Sequence, residues 1–184
     1  MRRTIPTLAA AALAVVAGVA LDAQKTTDLY PGKRTSPHVR TEYTIDGANI
    51  SITYGRPYLK GRAEAQMMPP GKPWRTGADE ATILTTDKAI QIGTLKLEPG
   101  SYTLNTEPGE SQWQLLVGKL GDKGEKQWGI PYQPTLEIGR VPMTVGKTDS
   151  PVEQVTIEID DTDAGATLRV EWGTTRASVP FKVG

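Results

Sequence analysis

Two adjacent carboxylates, Asp79 and Glu80, directly follow the string Trp74-Arg75-Thr76-Gly77-Ala78. Adjacent residues of a strand point to opposite faces, so only a loop can bring both acids into one cavity. There, burial or mutual repulsion would raise one pKa enough for general acid/base work. The stretch from Tyr54 to Thr82 that holds them also carries Arg56, Lys60, Glu64, Arg62, Lys72 and Arg75. Arginine offers a planar fork of donors to carboxylates and hydroxyls, and Trp74 offers an apolar face of the kind that stacks on a sugar ring. The candidate ligand-binding set is therefore Arg56, Lys60, Arg62, Trp74, Arg75, Asp79 and Glu80. Asp79 and Glu80 are also the catalytic candidates, with Arg75 or Arg56 stabilising developing negative charge. A plainer account uses the same charges. Arg56, Arg62 and Arg75 would neutralise Asp79 and Glu80 beneath an irregular connection, because a buried charge needs a partner. Residue types alone favour this network, and convergence of the side chains on an accessible cavity would decide against it.

Few other constellations compete. The chain has no Cys and a single His, His38, which removes thiol nucleophiles, thiolate metal sites and any two-histidine metal site. A Ser-His-Asp arrangement would have to use His38, which sits beside Pro37 and reads as a solvated or capping residue. No nucleophile elbow, phosphate-binding loop or dinucleotide-binding glycine motif occurs. Asp160, Asp161 and Asp163 are oxygen ligands of the sort calcium prefers, but without the spacing or distal Glu of a calcium loop they read as an acidic turn. Neither a metal nor a cofactor is expected.

The elements that must position these residues are strands. Val39, Thr41, Tyr43 and Ile45 alternate with polar residues, Asp46-Gly47 is a turn signal, and Ile50, Ile52 and Tyr54 resume the pattern; this is a β-hairpin with a slightly long loop. Strand signals recur at Ala81–Thr86, Ile90–Ile92 and Leu95–Leu97. Pro99-Gly100 and Pro108-Gly109 punctuate what reads as an antiparallel meander from Leu95 to Val117. Gly118 to Val145 is less regular, and Trp128 within it is either core or a wall of the Trp74 cleft. Late strands follow at Val155–Ile159, Leu168–Trp172 and Val179–Val183, with a turn across Asp160–Gly165. The one helical candidate, Arg62 to Met68, is short. About nine strands with one-faced alternation predict an all-β fold, an antiparallel β-sandwich or jelly-roll-like single domain over 38–184; a closed barrel is the alternative. Trp113 and Trp172, on alternating strands, are core candidates.

The N-terminus predicts export. Met1-Arg2-Arg3 precedes an apolar run from Leu8 to Leu21, with small residues at Gly18 and Ala20. This is the layout of a signal peptide over 1–20, with a second cleavage candidate after Ala23, and the run is short for a membrane span. Residues 24–37 are polar and read as a flexible leader. Without Arg2 and Arg3 the chain keeps two more acids than bases, so nothing attracts nucleic acid. No membrane span is expected once the signal peptide is removed, and the expected location is periplasmic or extracellular.

Tyr54-Gly55-Arg56-Pro57, Lys60-Gly61-Arg62 and the string from Pro73 through Trp74-Arg75-Thr76-Gly77-Ala78-Asp79-Glu80-Ala81-Thr82 resemble DUF2911, a bacterial family of exported proteins of unknown function. Ser36-Pro37, Gly100-Ser101-Tyr102-Thr103-Leu104 and Trp128-Gly129 are similar too. The resemblance spans roughly Ser36 to the end. Asp79 stands where family members tend to carry Asn, and Ala63–Met68 replaces a segment that usually holds an aromatic residue and a glycine. The resemblance implies export and this fold but brings no activity. The expected function is a non-enzymatic binding module for a polar small molecule or glycan; the alternatives are a hydrolase or lyase with a carboxylate acid/base, and an envelope protein-interaction domain.

Overall fold

The computed structural model describes residues 24–121, 132–163 and 165–184. The expected signal peptide and Trp128 lie outside them. Ten strands run in the order β1 (Lys25–Asp28), β2 (His38–Ile45), β3 (Ala48–Gly55), β4 (Thr82–Thr86), β5 (Ile90–Ile92), β6 (Leu95–Leu97), β7 (Gly100–Glu107), β8 (Gln112–Lys119), β9 (Glu137–Thr162) and β10 (Gly165–Val183). Among the described residues one short α-helix, α1 (Glu64–Met67), lies between β3 and β4, and a 3-10 turn at Pro134–Leu136 precedes β9. All pairings are antiparallel, in one sheet ordered β1-β2-β3-β4-β7-β8-β9-β10-β5-β6.

Alternation dictates most of this. On β2 and β3 the residues Tyr43, Ile45, Ala48, Ile50, Ile52 and Tyr54 are buried. The two strands pair from His38↔Gly55 to Ile45↔Ala48. The loop is thus only Asp46 and Gly47, at φ 48° and 71°, tighter than expected and matching the backbone twist of the flanking strands.

Four expectations are corrected. Lys25–Asp28, inside the segment read as a flexible leader, is β1 paired to β2; all four residues are exposed, so no alternation marks them. The meander from Leu95 is broken: β6 pairs with β5, while β7 pairs with β4 and β8. The irregular segment ending at Val145 contains the start of β9, which pairs with β8 from Glu137 onward. The last two expected strands are one, the 19-residue β10.

The sheet folds over on itself along β9 and β10. The first part of β9 pairs with β8. Past the irregularities at Glu171/Gly173 and Gly173/Thr175 on β10, the second part of β9 meets β2 and β3 across the core. Leu59 N–H donates to the Glu153 carbonyl (2.8 Å) and Val155 N–H to the Pro57 carbonyl (3.2 Å), closing β9 onto the chain that leaves β3. The Tyr54 hydroxyl, buried, accepts from Ile157 N–H at 3.0 Å and donates to its carbonyl at 3.4 Å. One side chain thereby satisfies backbone groups that a neighbouring strand would otherwise pair. Burial pushes this phenol up, so it stays a neutral donor.

Candidate functional site

The connection between β3 and β4 is fastened by its backbone. Trp74 N–H donates to the Thr106 carbonyl (2.7 Å) and Thr106 N–H to the Trp74 carbonyl (2.9 Å), docking the loop on β7. Buried Thr76, at φ 58°, donates through its hydroxyl to Thr106 Oγ1 (3.1 Å), and the Thr82 hydroxyl donates to the Thr76 carbonyl (3.1 Å). Ala78 N–H donates to the Gly55 carbonyl (3.2 Å). That approach requires glycine on both sides. A Cβ on Gly55 would stand 2.2 Å from the Ala78 carbonyl oxygen, and one on Gly77 would stand 2.9 Å from that of Gly55. Asp79 takes φ 64°, a conformation Asp and Asn tolerate better than most residues, and Arg75 Nη1 donates to its carbonyl at 2.6 Å.

The seven candidate residues do not converge. Trp74, Arg75 and Asp79 line one open cleft of about 440 Å³, together with Pro57, Met67, Gly77, Ala78 and Trp172. The Trp74 ring lies on Trp172 with centroids 5.6 Å apart and planes 11° from parallel. Trp172 is buried and its indole N–H donates to the Glu153 carbonyl (3.1 Å), so a fixed ring backs the half-buried Trp74. Arg56, Lys60, Arg62 and Glu80 are elsewhere. Arg56 donates to the Val155 carbonyl and to Thr156 Oγ1, both at 3.0 Å. Arg62 folds back on the carbonyls of Leu59 and Tyr58. Lys60 offers its backbone N–H to the Glu153 carboxylate (2.8 Å). The expected pairing of Arg56, Arg62 and Arg75 with Asp79 and Glu80 is therefore replaced: each of these arginines bonds to backbone carbonyls, and none to those carboxylates.

The acids have another partner. Arg34, in the segment read as leader, places Nη2 2.8 Å from Glu80 Oε1 and Nη1 3.9 Å from Asp79 Oδ2. It also covers the Tyr30 ring, 4.6 Å from the centroid. The other Glu80 oxygen faces His38 Nδ1 at 3.4 Å; neither atom has a hydrogen-bond partner among the described residues. His38 is only 4% exposed, not solvated as expected. Burial pushes its imidazole below the ordinary value, aided by Arg34 and opposed by Glu80, Asp79 and Asp28. Arg34 and Tyr30 lie in a polar segment without alternation, which gives no sign of docking, and His38 was read as a solvated or capping residue.

Helix α1 sets the far wall of the cleft through Met67. Glu64, at its start, accepts from Thr174 N–H (2.7 Å) and from the hydroxyls of Thr174 (3.1 Å) and Thr175 (2.5 Å). Burial opposes ionisation, but these bonds outweigh it and hold the Glu64 carboxyl below its usual range. Of the acidic run, Asp160 is engaged by Arg169, and strand pairing continues to Thr162↔Gly165, so Asp160 and Asp161 lie in a strand rather than a turn. No cluster of metal-ligating side chains occurs among the described residues.

Residues 36–181 match the family described as "Protein of unknown function (DUF2911)", and the chain belongs to it. No curated protein matches the chain, and no solved structure matches it either.

Proposed function

We propose that this DUF2911 member is an exported, non-enzymatic binding module that holds a polar ligand with an apolar face, such as a glycan, against Trp74. One observation carries the reading: Trp74, stacked on the buried Trp172, shares an open cleft with Arg75 and Asp79. An aromatic platform beside a guanidinium and a carboxylate is the set that holds a ring by one face and its hydroxyls by their edges. The fastening of the loop supports the same reading, because a site that is already ordered loses little entropy on binding. The fold-over of the sheet supports a sandwich-like scaffold that presents this loop at one end. Glu80 does not line the cleft and faces Arg34 and His38, which favours binding over acid/base catalysis by the Asp79–Glu80 pair. The charged N-terminus and the apolar run Leu8–Leu21 support delivery to the periplasm or cell exterior.

Titration calorimetry with soluble oligosaccharides tests the role. Trp74→Ala is expected to weaken binding about tenfold or more, since removing an aromatic anchor costs more than about 1.4 kcal/mol, while circular dichroism keeps its strand signature. Equal binding by parent and variant, or none by the parent, defeats the proposal.

A further inference from the structure

We infer that the ligand of this cleft carries an anionic group, a carboxylate or phosphate on a sugar ring, and that Arg75 is its receptor. The inference rests on the binding role proposed above and goes further, to the charge of the ligand. Arg34, Arg140, Arg169 and Arg176 each contact carboxylates of their own chain. Arg75 does not. Its one hydrogen bond is from Nη1 to the uncharged carbonyl of Asp79, and no contact within the described chain uses Nε or Nη2.

No carboxylate around it, among the described residues, bonds its guanidinium directly. Asp79 is the one acid among the residues lining the cleft, and Arg34 already faces its carboxylate. On its other side Arg75 borders a small cavity of about 20 Å³ whose lining includes Lys119, Asn105 and Tyr132 but no acid. Arg34 and Arg75 balance Asp79 and Glu80 in number, but among the described residues no carboxylate is bonded to the half-buried Arg75. Its unused Nε–Nη2 edge has the geometry that grips a planar carboxylate or two phosphate oxygens at once. Trp74, beside it, takes the ring face. A neutral sugar would offer that edge hydroxyl oxygens but no charge.

Three probes separate the possibilities: trigalacturonate, its methyl ester and galactose 6-phosphate, each against galactose as the neutral reference. The acid is expected to bind at least about tenfold tighter than the ester, because a charge-assisted bond is worth more than about 1.4 kcal/mol. Preference for trigalacturonate over its ester identifies carboxylate as the recognised group; preference for galactose 6-phosphate alone identifies phosphate. Arg75→Gln, which keeps a donor for the Asp79 carbonyl but not the charge, should abolish the preference, so that trigalacturonate and its ester bind alike. Should that variant unfold, salt gives the same answer on the parent protein. Raising ionic strength from 0.01 to 1 M shortens the screening length from about 30 to about 3 Å and should weaken the acid but not the ester. Equal, salt-independent affinities for charged and neutral probes overturn this inference and leave the binding role standing. Binding of none of the probes overturns both.

Discussion

Gly173→Ala tests how the cleft is held open. Gly173 lies between the two irregularities of β10 at φ 60°, where an alanine costs about 1–2 kcal/mol on backbone grounds alone. Its new Cβ would also stand 2.2 Å from Glu64 Oε1, 2.4 Å from Cδ and 2.6 Å from Cγ. Glu64 can swing away, but only by giving up its three bonds to Thr174 and Thr175. Thr174 is exposed and Thr175 half-buried, so the groups it leaves can largely turn to water and that loss adds about 1–2 kcal/mol. The sum, about 2–4 kcal/mol, should appear as a lower urea midpoint at unchanged slope and a melting temperature about 5–12 °C lower. Glu64→Ala supplies the internal check. With that side chain already gone, Gly173→Ala should cost only its backbone part, and the double variant should be about as stable as Gly173→Ala alone. Strict additivity, or a Gly173→Ala protein within about 0.5 kcal/mol of the parent, would refute the clasp. Met67 sits on the same helix and lines the cleft, so ligand affinity should fall in the same series.

Two further expectations concern buried polar groups. Tyr54→Phe removes the hydroxyl that serves both backbone groups of Ile157, and urea unfolding should show a loss of about 1–3 kcal/mol; a change below about 0.5 kcal/mol would mean those groups are met otherwise. His38 binds a proton less readily folded than unfolded, because burial depresses its pKa. Its contribution to stability is therefore full above about pH 6.5, the unfolded value, and is lost as pH falls from there toward the lower folded value. Urea midpoints measured across that window should decline in the parent and decline less in His38→Asn; parallel curves would exclude His38 as the group responsible.

The fold was legible wherever one face of a strand is buried and the other wet, as on β2 and β3. It was not legible at β1, whose residues are exposed on both faces, because pairing without burial leaves no periodic trace. Partnership of β6 with β5 rather than β7 was hidden for a related reason: Leu95 and Leu97 show that a strand exists but not which neighbour it joins. Around the cleft, Trp74, Arg75 and Asp79 were singled out by residue type and spacing, and the structure brings these three together. The carboxylate pairing expected of Arg56 and Arg62 failed because an arginine side chain also bonds backbone carbonyls, and carbonyls are present at every position. Glu80 was recognised as needing a cation, but Arg34 lies far from it in sequence. The WRTGADEAT string owes part of its spelling to backbone crowding. Gly77 and Gly55 are set by the close approach of their backbones.

Closure of β9 onto the end of β3 bears on the order in which the molecule assembles. The pairs β2–β3, β7–β8 and β9–β10 join neighbours in the chain across short connections, apart from the segment before β9, so their loops close at small entropic cost. The contacts that close β9 onto the end of β3 join residues 93 to 103 positions apart: Lys60 with Glu153, Arg56 with Val155, Tyr54 with Ile157. Such pairings come late, since a long loop must be ordered before any contact rewards it. Pro57 and Trp172, on either side of that closure, are walls of the cleft. Hairpins alone do not form this cleft; its walls meet only when those long-range pairings are made.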